Sequence, residues 1–279
     1  MKVADALRAG AEQLAATSDT ARLDAQLLMA HALNVTRSEM LLRFADKPSP
    51  QGFSGLIERR LNHEPIAYIT GWTEFYGRRF NIAPGVLIPR GDSEVLIEAA
   101  LEICPDAKRV LDLGVGSGAL LLTILCEKPK ASGVGVDASS EAIEIAGENA
   151  ITLQAAGELN LATAWAFREA DWSMPGWSDD IGAFDLILCN PPYVETSARL
   201  DPDVRNYEPA SALFAGADGL DDYRVLIPQL RALMENNGVA LFEIGHLQSD
   251  AVTKLAYDAG FEVQLRHDLA NRPRVLILS

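Results

Sequence analysis

One stretch constrains this chain more than any other: Val110-Leu111-Asp112-Leu113-Gly114-Val115-Gly116-Ser117-Gly118-Ala119. A short apolar strand, Arg109 to Leu113, runs into glycines and then into an apolar helix, Ala119 to Cys126. That order aims backbone N–H groups and a helix N-terminus at a ligand. The glycines permit a tight turn and a close approach of backbone to cofactor. The next strand, Gly133 to Val136, leads into Asp137, whose carboxylate can accept hydrogen bonds from ribose hydroxyls. Gly114, Val115, Gly116, Ser117, Gly118 and Asp137 are therefore the candidate cofactor-binding residues. Gly114-x-Gly116-x-x-Ala119 also satisfies the dinucleotide fingerprint, so a nicotinamide reading stays open. Two details lean away from it. Asp112 places a negative charge ahead of the loop, suited to a sulfonium or ammonium rather than a pyrophosphate, and Gly118 is a glycine the fingerprint does not need.

Strands and helices alternate beyond residue 92. After Asp137 come an amphipathic helix, Ser140 to Gln154, capped by Ser139 or Ser140, and strands over Thr163 to Glu169 and Phe184 to Cys189. A long irregular stretch runs to about Gly219. Then follow a helix over Tyr223 to Met234, a strand over Gly238 to Ile244 and a helix over Ser249 to Ala259. Phe261 to Leu265 and Arg274 to Leu278 are the last strands. Repeated β-then-α order implies a parallel sheet with helices on both faces, closed by late antiparallel strands. Residues 1–70 keep the helical spacing of apolar positions, broken by the loop Asp46 to Pro50 and by Pro65. From Gly71 to Pro89, aromatics and β-branched residues around turn formers predict a β-hairpin linker.

The second chemical signal, Asn190-Pro191-Pro192-Tyr193, directly follows the strand ending at Cys189. An amide nitrogen is a poor nucleophile because its lone pair is delocalised. To methylate it, a site must hold the NH₂ by both hydrogens and aim the nitrogen at an electrophilic methyl. The Asn190 side-chain oxygen and the Pro191 carbonyl are two such acceptors, and proline holds them in place. Tyr193 offers a flat face for stacking on a planar amide or base.

Other residues read more plainly. His31, His63, His246 and His267 lack metal-ligand spacing, so no metal is expected. Trp165, Trp172 and Trp177 are expected to cluster as packing near the sheet edge. Asp201, Asp203, Asp221 and Asp222 read as solvated loop charges, while Arg205 and Glu208 belong to a candidate substrate-embracing loop. Cys104, Cys126 and Cys189 adjoin apolar runs and read as buried, reduced thiols, which fits the cytosol. Met1 to Ala16 has no continuous apolar region like that of a signal peptide. The longest apolar run is too short for a bilayer, so no membrane role is expected. With 24 basic and 39 acidic side chains the net charge is −15, which opposes sequence-blind nucleic-acid binding.

Together these residues resemble the class I S-adenosylmethionine-dependent methyltransferases, and the likeness to the HemK/PrmC family covers essentially the whole chain. It is carried by Arg22-Leu23-Asp24-Ala25, Glu64-Pro65-Ile66-Ala67-Tyr68-Ile69-Thr70-Gly71, Phe75-Tyr76-Gly77 and Leu87-Ile88-Pro89-Arg90. Ala170-Asp171-Trp172, Val204-Arg205-Asn206-Tyr207-Glu208-Pro209, Ala215-Gly216-Ala217-Asp218-Gly219-Leu220 and Glu243-Ile244-Gly245 carry it further. The resemblance implies an α/β fold: a Rossmann-like methyltransferase sheet over residues 91–279, a helical substrate-recognition domain over 1–70 and a hairpin linker over 71–90. It implies cofactor contact at Gly114 to Gly118, Asp137, Trp172 and Asn190, and catalytic and substrate contact at Asn190, Pro191, Pro192 and Tyr193. The implied reaction moves the methyl of S-adenosylmethionine to the glutamine of the Gly-Gly-Gln motif in class I peptide-chain release factors, leaving S-adenosylhomocysteine.

Two segments depart from the family pattern. Pro89-Arg90-Gly91-Asp92-Ser93-Glu94 stands where the family usually has Pro-Arg-Pro-Asp-Thr-Glu, and Asp268 to Arg274 lacks a common glycine and acidic residue. Neither is expected to touch the reacting centre. Two rival substrates remain: a glutamine of a large-subunit ribosomal protein, and the N6 amino group of adenine, which the net charge opposes. A non-catalytic binding module would be expected to have lost Asn190 or the glycines.

Overall fold

Helices account for the chain as far as Thr70: α1 (Val3–Leu14), α2 (Ala21–Leu33), α3 (Arg37–Arg43), α4 (Phe53–Leu61) and α5 (Ile66–Thr70). They belong to a computed structural model that describes residues 1–279 and divides into two units. The first is Met1–Trp72 with Leu200–Tyr207, the second Thr73–Arg199 with Glu208–Ser279. In α1 the buried positions Val3, Ala6, Gly10 and Leu14 recur every three or four residues, so one stripe of the helix faces inward. Thr36 caps α3 by accepting a hydrogen bond from the Glu39 N–H at 3.1 Å. Asn34, in the left-handed region, ends α2. The interior of this unit holds Leu14, Leu28, Met29, Met40, Phe53 and Ile57.

A buried ion pair sits among them. The Arg60 Nε donates to Asp24 Oδ2 at 2.7 Å, and the side chains are only 9% and 5% exposed. Asp24 also accepts from the Ser18 and Thr20 hydroxyls, both at 2.8 Å, so its charge is well satisfied. Asp203 faces Arg60 at 3.7 Å, which corrects its reading as a merely solvated charge.

In the second unit, β1 (Trp72–Phe75) and β2 (Arg78–Asn81) make the expected hairpin. Its turn residues Tyr76 and Gly77 both have positive φ, as a two-residue type I′ turn requires. Phe75 and Phe80 are buried in the apolar cluster of this unit, and the Tyr76 N–H donates to Glu94 Oε1 at 2.9 Å. Beyond it come α6 (Glu94–Ile103), β3 (Arg109–Leu113), α7 (Ala119–Glu127), β4 (Ser132–Asp137), α8 (Ser140–Ala155), β5 (Trp165–Glu169) and β6 (Phe184–Cys189). Ser139 is the cap of α8, its hydroxyl accepting from the Ala142 N–H. After α9 (Pro202–Tyr207), counted with the first unit, follow α10 (Asp221–Leu226), α11 (Leu230–Leu233), β7 (Met234–Glu243), α12 (Ser249–Asp258), β8 (Val263–His267) and β9 (Pro273–Leu278).

The seven strands lie in the order β5-β4-β3-β6-β7-β9-β8, parallel except for the pairings of β9. Val110, Leu186, Leu188 and Leu241 face one apolar cluster, while Leu111, Ile187, Cys189 and Phe242 face the other. Strands buried on both faces read as continuous apolar runs, which is why the limits of β6 are legible in sequence.

Three expectations need correction. The helix expected over Tyr223 to Met234 is broken into α10, a 3₁₀ turn at Ile227–Gln229 and α11. Pro228, which has no N–H to donate, sits at the break. Only Cys189 is fully buried, Cys104 and Cys126 being half-exposed. The tryptophans do not form one cluster: Trp165 packs with one face of the sheet and Trp172 and Trp177 with the other. No helix is long and apolar enough to cross a membrane.

Candidate active site

Because β4, β3 and β6 are adjacent and parallel, their carboxyl ends open on one edge of the sheet. The chain leaves β3 in one direction to make β4 and returns on its other side as β6, the kind of switch point where open α/β sheets bind ligands. A cavity of about 390 Å³ lies there, within the usual range for small-molecule sites. It is lined by Gly114, Val115, Gly116, Ser117, Asp137, Trp172, Asn190 and Pro192 among the residues expected to act, and also by Phe75, Leu87, Ser93 and Asp222. Its charged lining is entirely acidic: Asp137, Asp171 and Asp222, with no lysine, arginine or histidine. The four histidines of the chain join no group able to hold a metal.

Gly118, Pro191 and Tyr193 lie outside this lining. Gly118 is the N-cap of α7 with φ 82°, a left-handed backbone that demands the glycine, and a Cβ there would also crowd the tip of Leu122. Gly114 also has positive φ, and it is backed by the Trp172 ring.

Asp137 closes β4 with its carboxylate half-buried. Oδ2 accepts from the Gly116 N–H at 2.9 Å and Oδ1 from the Ser139 N–H at 3.0 Å, so it also shapes the glycine loop. Burial raises its pKa, and those N–H groups pull the other way. Asp112 is not where the sequence reading put it. It is fully buried beneath the loop, accepts from the Leu121 N–H at 3.1 Å inside α7, and burial holds its pKa well above the carboxylate range. Buried and outside the cavity lining, Asp112 braces the helix start and does not face a ligand.

Asp222 corrects another expectation. It is half-buried, and its Oδ1 accepts from the Trp172 indole N–H at 2.9 Å, fixing the ring that walls the cavity. Glu208 is buried rather than part of an open loop: it pairs with Arg90 and accepts from the Ile88 N–H at 3.3 Å.

Asn190 follows β6 at the cavity wall, and its Nδ2 donates to Ser93 Oγ at 3.3 Å. Ser93 Oγ in turn donates to Glu243 Oε2, and the Tyr193 hydroxyl donates to Glu243 Oε1 at 3.3 Å. Glu243 is 1% exposed at the end of β7. Burial raises its pKa, opposed by Ser93, Arg274 and Tyr193. The two segments that depart from the family pattern therefore meet beside the site, contrary to expectation: Ser93 touches Asn190, and Arg274 pairs with Asp92 at 2.8 Å and Asp268 at 3.3 Å.

This sheet and its edge cavity have the architecture of the Rossmann-like methyltransferases. The hMettl16 catalytic domain in complex with an RNA hairpin superimposes with a TM-score of 0.57 over 78% of this chain and 83% of that one, at 12% identity. Two family profiles match the sequence, the PrmC N-terminal domain over residues 5–71 and the methyltransferase small domain over residues 91–206. The release factor glutamine methyltransferase of Caulobacter vibrioides is 39% identical, over 93% of this chain and 89% of its own length. That of Cereibacter sphaeroides is also 39% identical, over 99% and 98%. This chain belongs to the release factor glutamine methyltransferase family.

Proposed function

We propose that this enzyme transfers a methyl group from S-adenosylmethionine to the side-chain amide nitrogen of the glutamine in the Gly-Gly-Gln motif of class I peptide-chain release factors. One observation carries the reading: a cavity with only acidic charges has the amide of Asn190 in its wall. An acidic lining suits a cofactor bearing sulfonium and ammonium charges and repels the phosphates of a dinucleotide. Asp137, at the end of β4, would take ribose hydroxyls while holding the glycine loop, and Trp172 would pack against the cofactor. S-adenosylmethionine, when bound, supplies an electrophilic methyl.

The protein supplies position. Asn190 Oδ1 and the Pro191 carbonyl accept the two hydrogens of the substrate NH₂, which turns its lone pair toward the donor. Holding the reactants so accounts for several kcal/mol of barrier without a strong base. The surplus proton leaves after transfer, when the nitrogen is cationic. We assign the helical unit to recognition of the release factor, and the setting to the cytosol, where three free cysteines stay reduced.

Incubation with labelled S-adenosylmethionine and separate pools of release factor, large-subunit ribosomal protein and DNA tests the substrate. Label is expected on the release-factor glutamine; label only on ribosomal protein or on adenine would replace this reading. Asp137→Ala is expected to weaken cofactor binding by about 1–3 kcal/mol through loss of charge-assisted hydrogen bonds. Calorimetry measures it, and unchanged affinity would remove Asp137 from the cofactor site.

A further inference from the structure

An asparagine amide is nearly symmetric in shape, yet only one of its ends can accept a hydrogen bond. If Asn190 stood the other way round, it would offer an NH₂ to the substrate NH₂, two donors facing one another. Something must choose the orientation. The choice is made by a hydroxyl and a carboxylate. Ser93 Oγ has a single proton, and it goes to Glu243 Oε2. The other carboxylate oxygen accepts from Tyr193, so Glu243 receives a hydroxyl at both ends. With its proton committed, Ser93 Oγ can only accept from Asn190, and the atom facing it must be Nδ2. Oδ1 is then left free to accept.

We propose that Ser93 and Glu243 are positioning residues that set the orientation of the Asn190 amide for methyl transfer. The inference rests on the reading of Asn190 as the substrate's acceptor. The relay is largely shielded, Ser93 being 3% and Glu243 1% exposed, and only its Asn190 end borders the cavity. It is also rigidly mounted. Ser93 ends the 3₁₀ turn before α6, and Cys189 and Phe242, the residues before Asn190 and Glu243, are partners in the β6–β7 register. The Tyr223 hydroxyl donates to the Glu243 carbonyl at 2.7 Å and pins the end of β7. One buried carboxylate thus holds both the first and the last residue of Asn190-Pro191-Pro192-Tyr193.

The test compares Ser93→Thr with Ser93→Val in the full chain, because the two side chains share a shape and differ by the hydroxyl. With a release factor as substrate, Ser93→Val is expected to lower kcat roughly tenfold to a hundredfold, the scale of losing a hydrogen-bonded support. KM and cofactor Kd should stay within about threefold, since neither ground-state contact is removed. Ser93→Thr should restore most of the lost rate. In a double-mutant cycle, adding Ser93→Val to Asn190→Ala should slow the enzyme no further, because the relay has nothing left to orient. Equal rates for Ser93→Thr and Ser93→Val, or losses that multiply in the double mutant, would overturn the relay and leave Asn190 in its role. A parental rate for Asn190→Ala would remove the acceptor reading, and the relay with it.

Discussion

Replacing Asn190 by alanine is expected to lower kcat by roughly two to three decades, the loss typical of one preorganised polar contact to a reacting group. The amide oxygen matters most in the transition state, where the substrate nitrogen gains positive charge and its N–H groups become stronger donors. The loss should therefore fall on kcat, with cofactor affinity nearly unchanged, as single-turnover kinetics beside calorimetry would resolve. Asn190→Asp is the sharper variant. It keeps an acceptor but replaces the NH₂ that donates to Ser93 with a second oxygen, so two lone pairs meet where one hydrogen bond stood. Activity should drop there too, even if cofactor still binds. Turnover by Asn190→Ala at the parental rate would end the amide-clamp mechanism.

Asp24→Ala is expected to destabilise the helical unit by about 3 kcal/mol, toward the lower end of the cost of removing one member of a buried pair, because Asp203 at 3.7 Å stays beside Arg60. Arg60 is 9% exposed, so water cannot replace the lost carboxylate, and the Ser18 and Thr20 hydroxyls lose their acceptor as well. Removing both charges with Asp24→Leu and Arg60→Met should cost less than Asp24→Ala alone, since no unpaired charge remains. Denaturant unfolding followed by circular dichroism measures both. A parental midpoint for Asp24→Ala would show that the pair contributes nothing.

The parts of this site legible in sequence are those whose chemistry is local. Gly114 to Gly118 and Asp137 form a loop and a strand end, and Asn190 follows a strand whose apolar residues mark its limits. Ser93, Asp222 and Glu243 were hidden because each acts through a contact made across the fold. Glu243 reads as an acidic residue inside the apolar strand Gly238 to Ile244, and Asp222 as a solvated loop charge. Spacing gives the place of Asp112 along the chain but not the side of the loop it faces. Buried on the helix side, it holds the start of α7 and does not face a ligand.

The link from Ser93 to Asn190 spans 97 residues, and that from Ser93 to Glu243 spans 150. Each closes a long loop, whose entropic cost grows only slowly with its length. The side chains around Asn190 thus come from three separate stretches of chain, and local sequence alone cannot assemble them.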